Sequence, residues 1–205
     1  MSAADYHLHL SRDKRLAKLI RGKAPFMLKK RRNLFHYLCA SVISQQLSTK
    51  VATVIHNRFL GLFGNRQPQP EDVLGLPLET LRQIGLSESK ALYMGHLARF
   101  ALEQGLSVNK LSRMDDEAVI GYLTQIKGVG RWTAEMLLMF ALGREDVFAV
   151  DDLGIQQAMI RLYHLDAADK KKLKAEMVRI SGKWSPYRTY ACLHLWAWKD
   201  NEGAK

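Results

Sequence analysis

The sequence predicts an all-α protein. Three observations lead there: apolar residues recur at helical spacing along most of the chain, β-branched alternation is scarce, and only five prolines fall in 205 residues. With 47% hydrophobic residues the chain has material for one core or two small ones.

Leu34, Phe35, Leu38, Val42 and Ile43 make one helical face. Ser48 reads as the N-cap of a second helix carrying Val51, Val54, Ile55 and Phe59, which Gly61 and Gly64 close. Gln67-Pro68-Gln69-Pro70 is a turn, too short to free two lobes. Ser87 caps a helix with Leu92, Leu97 and Phe100 facing inward and an end near Gly105; Asp115 caps the next, through Val119, Tyr122 and Leu123. After the glycine hairpin Lys127-Gly128-Val129-Gly130, a helix from Thr133 to Leu142 carries Met136, Leu137, Phe140 and Ala141 until Gly143 stops it. A short extended piece, Val147 to Val150, delivers Asp151 and Asp152 to a new helix start. The run from Asp169 to Lys174 reads as a solvated helix face, and the closing helix runs from Pro186 towards Trp198.

Charge narrows the partners. Thirty-one Lys and Arg against 20 Asp and Glu leave +11 with histidines neutral, which favours a polyanion through counterion release. Nucleic acid leads and a membrane surface follows. Cys39 and Cys192 are too few and too far apart for cysteine-ligated zinc or an iron-sulfur cluster, and the seven histidines show no zinc-binding spacing. The N-terminus lacks an apolar signal core and no stretch is long enough for a membrane span. These features predict the cytoplasm or the nucleus; a monomer is expected.

The hairpin is the first candidate site. Gly128 and Gly130 stand between amphipathic helices, where glycine permits unusual backbone angles and leaves amides unshielded. The following helix points its unpaired amides and positive dipole end at the same spot, which makes an anion site. Such a contact grips DNA backbone without reading bases. A tight turn with glycine for geometry alone is the competing reading.

Asp151 and Asp152 are the second candidate, because both stand where a helix starts and its dipole favours a carboxylate. Simple capping competes here too. Trp132 and Trp184 offer π faces to a flipped base, although a single tryptophan is more often core.

Together, Leu123, Ile126, Lys127-Gly128-Val129-Gly130, Arg131 and Thr133-Ala134, with an acid about twenty residues on, resemble the helix-hairpin-helix of the base-excision glycosylase superfamily. Trp184-Ser185-Pro186-Tyr187-Arg188-Thr189-Tyr190-Ala191-Cys192-Leu193-His194-Leu195-Trp196 is similar to the C-terminal signature of its alkylbase (3-methyladenine) glycosylase II branch. The similarity runs from about Leu34 to Trp198.

The resemblance implies two helical subdomains, 36–144 and 1–35 plus 145–205, with a base pocket at the cleft between them. It implies hydrolysis of the N-glycosidic bond of alkylated bases in duplex DNA. Asp152, three residues before Ile155, would be the catalytic carboxylate, and Asp151 the cap or orienter. Trp132, Met136 and Trp184 would line the pocket, and Gly128, Gly130 and Thr133 would hold a phosphate. The carbonyls of Thr124, Ile126 and Val129 would bind Na+ or K+.

Trp132 stands where strand-cutting relatives carry a lysine, so no Schiff base is expected there. The segment from Ala40 to Ser48 is similar to the loop that enters the minor groove, with Gln46, Leu47 or Ser48 as plug and Leu47 the expected wedge. Gln45 and Gln46 can instead hydrogen-bond neighbouring segments. Two other functions stay open: excision of neutral lesions such as hypoxanthine or oxidised bases, and a hairpin clamp without catalysis.

Overall fold

The computed structural model describes residues 3–202, and among these there are helices, turns and loops but no strand. They divide into two compact units: Lys30–Leu142, and a second that joins the segment ending at Lys29 to the one beginning at Gly143. None of the described helices is long and apolar enough to cross a membrane.

In the Lys30–Leu142 unit, α3 (Leu34–Ser44), α4 (Thr49–Gly61), α5 (Pro70–Leu74), α6 (Leu78–Gln83) and α7 (Glu88–Phe100) lead through a π turn, Ala101–Gly105, to α8 (Val108–Leu111), α9 (Asp116–Leu123) and α10 (Arg131–Phe140). Starts are set by side chains: Ser48, Ser87 and Asp115 each accept the amide of the residue three ahead. Such a cap is worth about 1 kcal/mol. Leu38, Val42, Ile43, Phe59, Met94, Leu97 and Leu137 are fully enclosed and form the core. Leu92 faces solvent at 45% exposure, contrary to the inward position that its spacing suggested. Met94 and Leu97 set the buried phase of α7 instead. Val51 and Val54 are likewise on the outer side of α4, while Ile55 and Phe59 point inward.

The other unit holds α1 (Ala3–Leu10), α2 (Leu16–Ile20), α11 (Leu153–Tyr163), α12 (Lys170–Ser181), a 3-10 turn at Gly182–Trp184 and α13 (Arg188–Glu202). Its core includes Leu10, Leu16, Met159, Trp184 and Leu195, with Tyr6 stacked on Tyr190 at 4.0 Å between ring centres. The strandless stretch before α11 is tied down by α13. Thr189 donates to the carbonyl of Arg144 at 2.7 Å and accepts the amide of Val147 at 3.0 Å. Arg188 binds the Asp146 carboxylate at 2.8 and 3.0 Å. These bonds give Asp151 and Asp152 a rigid approach without any sheet.

Candidate active site and nucleic-acid interface

The hairpin between α9 and α10 uses its two glycines differently. Gly128 has φ +97°, and a Cβ there would lie 2.3 Å from the Tyr93 ring, so both backbone and packing demand glycine. Gly130 has φ −92°, an angle open to any residue, and nothing lies within 4 Å of where its Cβ would be. It is the N-cap of α10 and supplies no side-chain cap, so the first amides of that helix are not bridged by its cap residue. Thr133, in that first turn, is 3% exposed.

Arg131 begins α10 but is engaged by acids: both of its terminal nitrogens pair with the Glu117 carboxylate, and its Nε donates to buried Glu135 at 3.1 Å. The guanidinium holds the Glu117 carboxyl below the usual carboxylate range. The start of α10 therefore offers backbone amides and a helix dipole, with exposed Lys127 beside them, rather than a free Arg131.

A cavity of about 860 Å³ in this unit is lined by Gln45 and Gln46, by Lys90 and Tyr93 of α7, by Thr124 and Ile126 to Gly130, and by Trp132. It brings together seven of the residues singled out from sequence: Gln46, Thr124, Ile126, Gly128, Val129, Gly130 and Trp132. Trp132 is 41% exposed, whereas Met136, one turn on, is 7% exposed. Leu47 and Ser48 lie outside it: Leu47 lines a smaller hollow with Ala40 and His56, and the Ser48 hydroxyl caps α4. Gln46 itself sits at φ +57°, a left-handed angle that non-glycine residues adopt only where surroundings impose it.

In the other unit, Asp152 is the N-cap of α11; its Oδ1 accepts the amide of Ile155 and the indole N–H of Trp196, each at 2.8 Å. The carboxylate that the resemblance singled out is thus also the cap of α11. Of the two roles the sequence left open for Asp151, cap or orienter, the cap belongs to Asp152; Asp151 pairs with Lys174 at 2.5 Å. The φ and ψ of Asp152, −71° and 122°, are those that an N-cap requires.

Trp184 is 1% exposed, donates to Asp13 Oδ2 at 3.1 Å and packs edge-on to Phe148, and it lines a cavity of about 610 Å³ in its own unit together with Asp13 and Tyr163. The tryptophan that reaches Asp152 is Trp196, which sequence reasoning passed over although it closes the C-terminal block. Gly154 allows this approach, since a Cβ there would stand 3.0 Å from the Trp196 ring.

The family follows from comparison with known sequences. Residues 39–182 match the HhH-GPD superfamily of base excision DNA repair proteins. The chain belongs to this family.

Among its relatives, DNA-3-methyladenine glycosylase 1 of Schizosaccharomyces pombe is 37% identical over 186 residues, covering 89% of this chain and 80% of that protein. The Bacillus subtilis protein YfjP is 35% identical over 170 residues, 80% of this chain; the alignment spans only 58% of YfjP. Among solved structures, a DNA-3-methyladenine glycosidase from Bacillus halodurans superimposes with a TM-score of 0.83 at 35% identity, over all of this chain and 92% of that one. A Schizosaccharomyces pombe 3-methyladenine DNA glycosylase in complex with abasic DNA gives 0.81 at 33% identity, over 94% and 95%.

Proposed function

We propose that the chain is a monofunctional DNA glycosylase that hydrolyses the N-glycosidic bond of alkylated bases, of the 3-methyladenine and 7-methylguanine type, in duplex DNA. The observation that carries this reading is the Asp152 carboxylate oriented by the Trp196 indole and the Ile155 amide. Departure of the base builds positive charge on the sugar, and Asp152 stabilises that charge or orients the attacking water. A base alkylated on a ring nitrogen is already cationic and leaves neutral, so no strong acid partner is needed.

The amides at Gly130 and the start of α10 hold a backbone phosphate. Trp132, with Met136 behind it, offers a π face that attracts a cationic base by about 0.5 to 2 kcal/mol, and Trp196 orients the Asp152 carboxylate. Gln46, through its imposed backbone and its place in the cavity, is a better plug than Leu47. A monovalent cation bound by the carbonyls of Thr124, Ile126 and Val129 would brace the hairpin. Ile126 O accepts one hydrogen bond, from Val129 N at 2.9 Å, and a carbonyl has a second lone pair for a metal. With tryptophan rather than lysine at position 132, no Schiff base forms at that position. The protein works as a monomer, in whichever compartment holds the DNA.

The test is base release from methylated duplex DNA by the wild type and by Asp152→Asn. Release by wild type alone, with no borohydride-trapped adduct, supports the assignment; undiminished release by the variant sinks it. Release of hypoxanthine or an oxidised base in preference to alkylated purines would move the substrate class to neutral lesions. Binding without any release would leave a clamp.

A further inference from the structure

We propose that Lys90 is a positioning residue for the groove-entering loop: from α7 it fixes the turn at Gln45–Ser48 relative to the hairpin, and that link governs discrimination of abasic from intact DNA. The proposal rests on the reading of this loop and hairpin as DNA-contacting elements.

Helix α3 ends at Ser44, so its last carbonyls lack helical donors. Lys90 supplies one: its Nζ donates to the carbonyl of Ile43 at 2.8 Å and to that of Gln45 at 2.6 Å. A cation there also meets the negative end of the α3 dipole. Burial pulls the pKa of this ammonium down, a desolvation penalty that an ordinary surface lysine does not carry.

One turn along the same face of α7, Tyr93 fills the space beside Gly128. The third side is Gln45, whose Nε2 donates to the Gly128 carbonyl at 3.0 Å. Lys90 to loop, Tyr93 to hairpin and Gln45 between them close a triangle around the large cavity. Gln46 follows directly, with its left-handed backbone. Such an angle costs about 1 kcal/mol or more and persists only when neighbours over-determine it. Remove Lys90, and the Gln45 carbonyl loses its charged donor while the hairpin keeps Tyr93 and its own amides.

The experiment measures binding of the full chain, by fluorescence anisotropy, to an undamaged duplex and to the same duplex carrying a tetrahydrofuran abasic analogue. The wild type should prefer the abasic duplex. Lys90→Met should cut that preference about tenfold, the effect of one lost charge-assisted hydrogen bond, with a smaller loss of affinity for undamaged duplex. Lys90→Arg, which keeps a charged donor, should restore most of the preference. Gln45→Ala breaks the link at its other end and should lower the same ratio, which decides the matter if Lys90→Met does not fold. An unchanged ratio, equal weakening on both duplexes, or no rescue by arginine overturns the proposal. A wild type that does not prefer abasic DNA overturns the loop reading itself, and this inference with it. Base release enters none of these readouts, so failure of the catalytic assignment is scored separately.

Discussion

Trp196 donates its indole N–H to Asp152 Oδ1 at 2.8 Å, across 44 residues of sequence, and the Ile155 amide donates to that same oxygen. Two donors on one oxygen fix the plane of the carboxylate. Trp196→Phe keeps an aromatic, though smaller, ring and removes the N–H donor. A hydrogen bond to a charged group is worth about 1.5 to 3 kcal/mol, so base release should slow about tenfold or more with folding retained. Single-turnover excision beside a thermal melt checks this.

Asp152→Asn separates chemistry from capping. Asparagine caps a helix as well as aspartate, so the melting temperature should hold within about 2 °C. Release should fall at least about 100-fold, because the charge opposite the developing cation is gone. Asp152→Ala should also lose about 1 kcal/mol of stability, measured by urea unfolding.

The hairpin glycines should respond in opposite ways. Gly128→Ala meets both φ +97° and the Tyr93 ring at 2.3 Å, and should destabilise by about 2 kcal/mol or more. Gly130→Ala meets no neighbour and needs no unusual angle, so stability should change by less than about 1 kcal/mol. DNA affinity should nevertheless drop if the proposed phosphate contact is made there, because a methyl group would then stand in its path. Equilibrium unfolding and anisotropy on the two variants distinguish the effects.

His194 predicts a pH dependence. It is 2% exposed, and burial, with positive charge from His7 and Lys23, lowers its pKa from 6.5 to about 4. The unfolded chain binds this proton near 6.5 and the folded one only near 4, so stability is full above 6.5 and declines as pH falls towards 4. The loss is at most about 3 kcal/mol. Urea unfolding across that range should show the decline, and His194→Phe should flatten it.

The helices were legible where a local device starts them. Ser48, Ser87 and Asp115 are short polar side chains before apolar runs, and each caps in the structure. Phase was less legible: Leu92 fits an apolar pattern, yet Met94 and Leu97 decide which side of α7 is covered. The hairpin could be read because its residues are contiguous. Trp196 with Asp152, and Lys90 with the end of α3, could not, since each contact joins segments about 45 residues apart and neither side chain signals its partner. Trp184 carried a strong motif, but a motif does not say which of its aromatics packs inward; Asp13 and Phe148 settle that.

Arg131 leaves a consequence for how the hairpin would hold DNA. Its charge is balanced locally by Glu117 and Glu135, so it displaces few ions when a phosphate docks beside it. Attraction by the amides at that point is dipolar and short-ranged, and any ionic-strength dependence must come from other cations, Lys127 of the hairpin and the lysines and arginines elsewhere on this +11 chain. Removing the Arg131 charge should therefore flatten the ionic-strength dependence less than removing Lys127, whose ammonium stands exposed in the same hairpin.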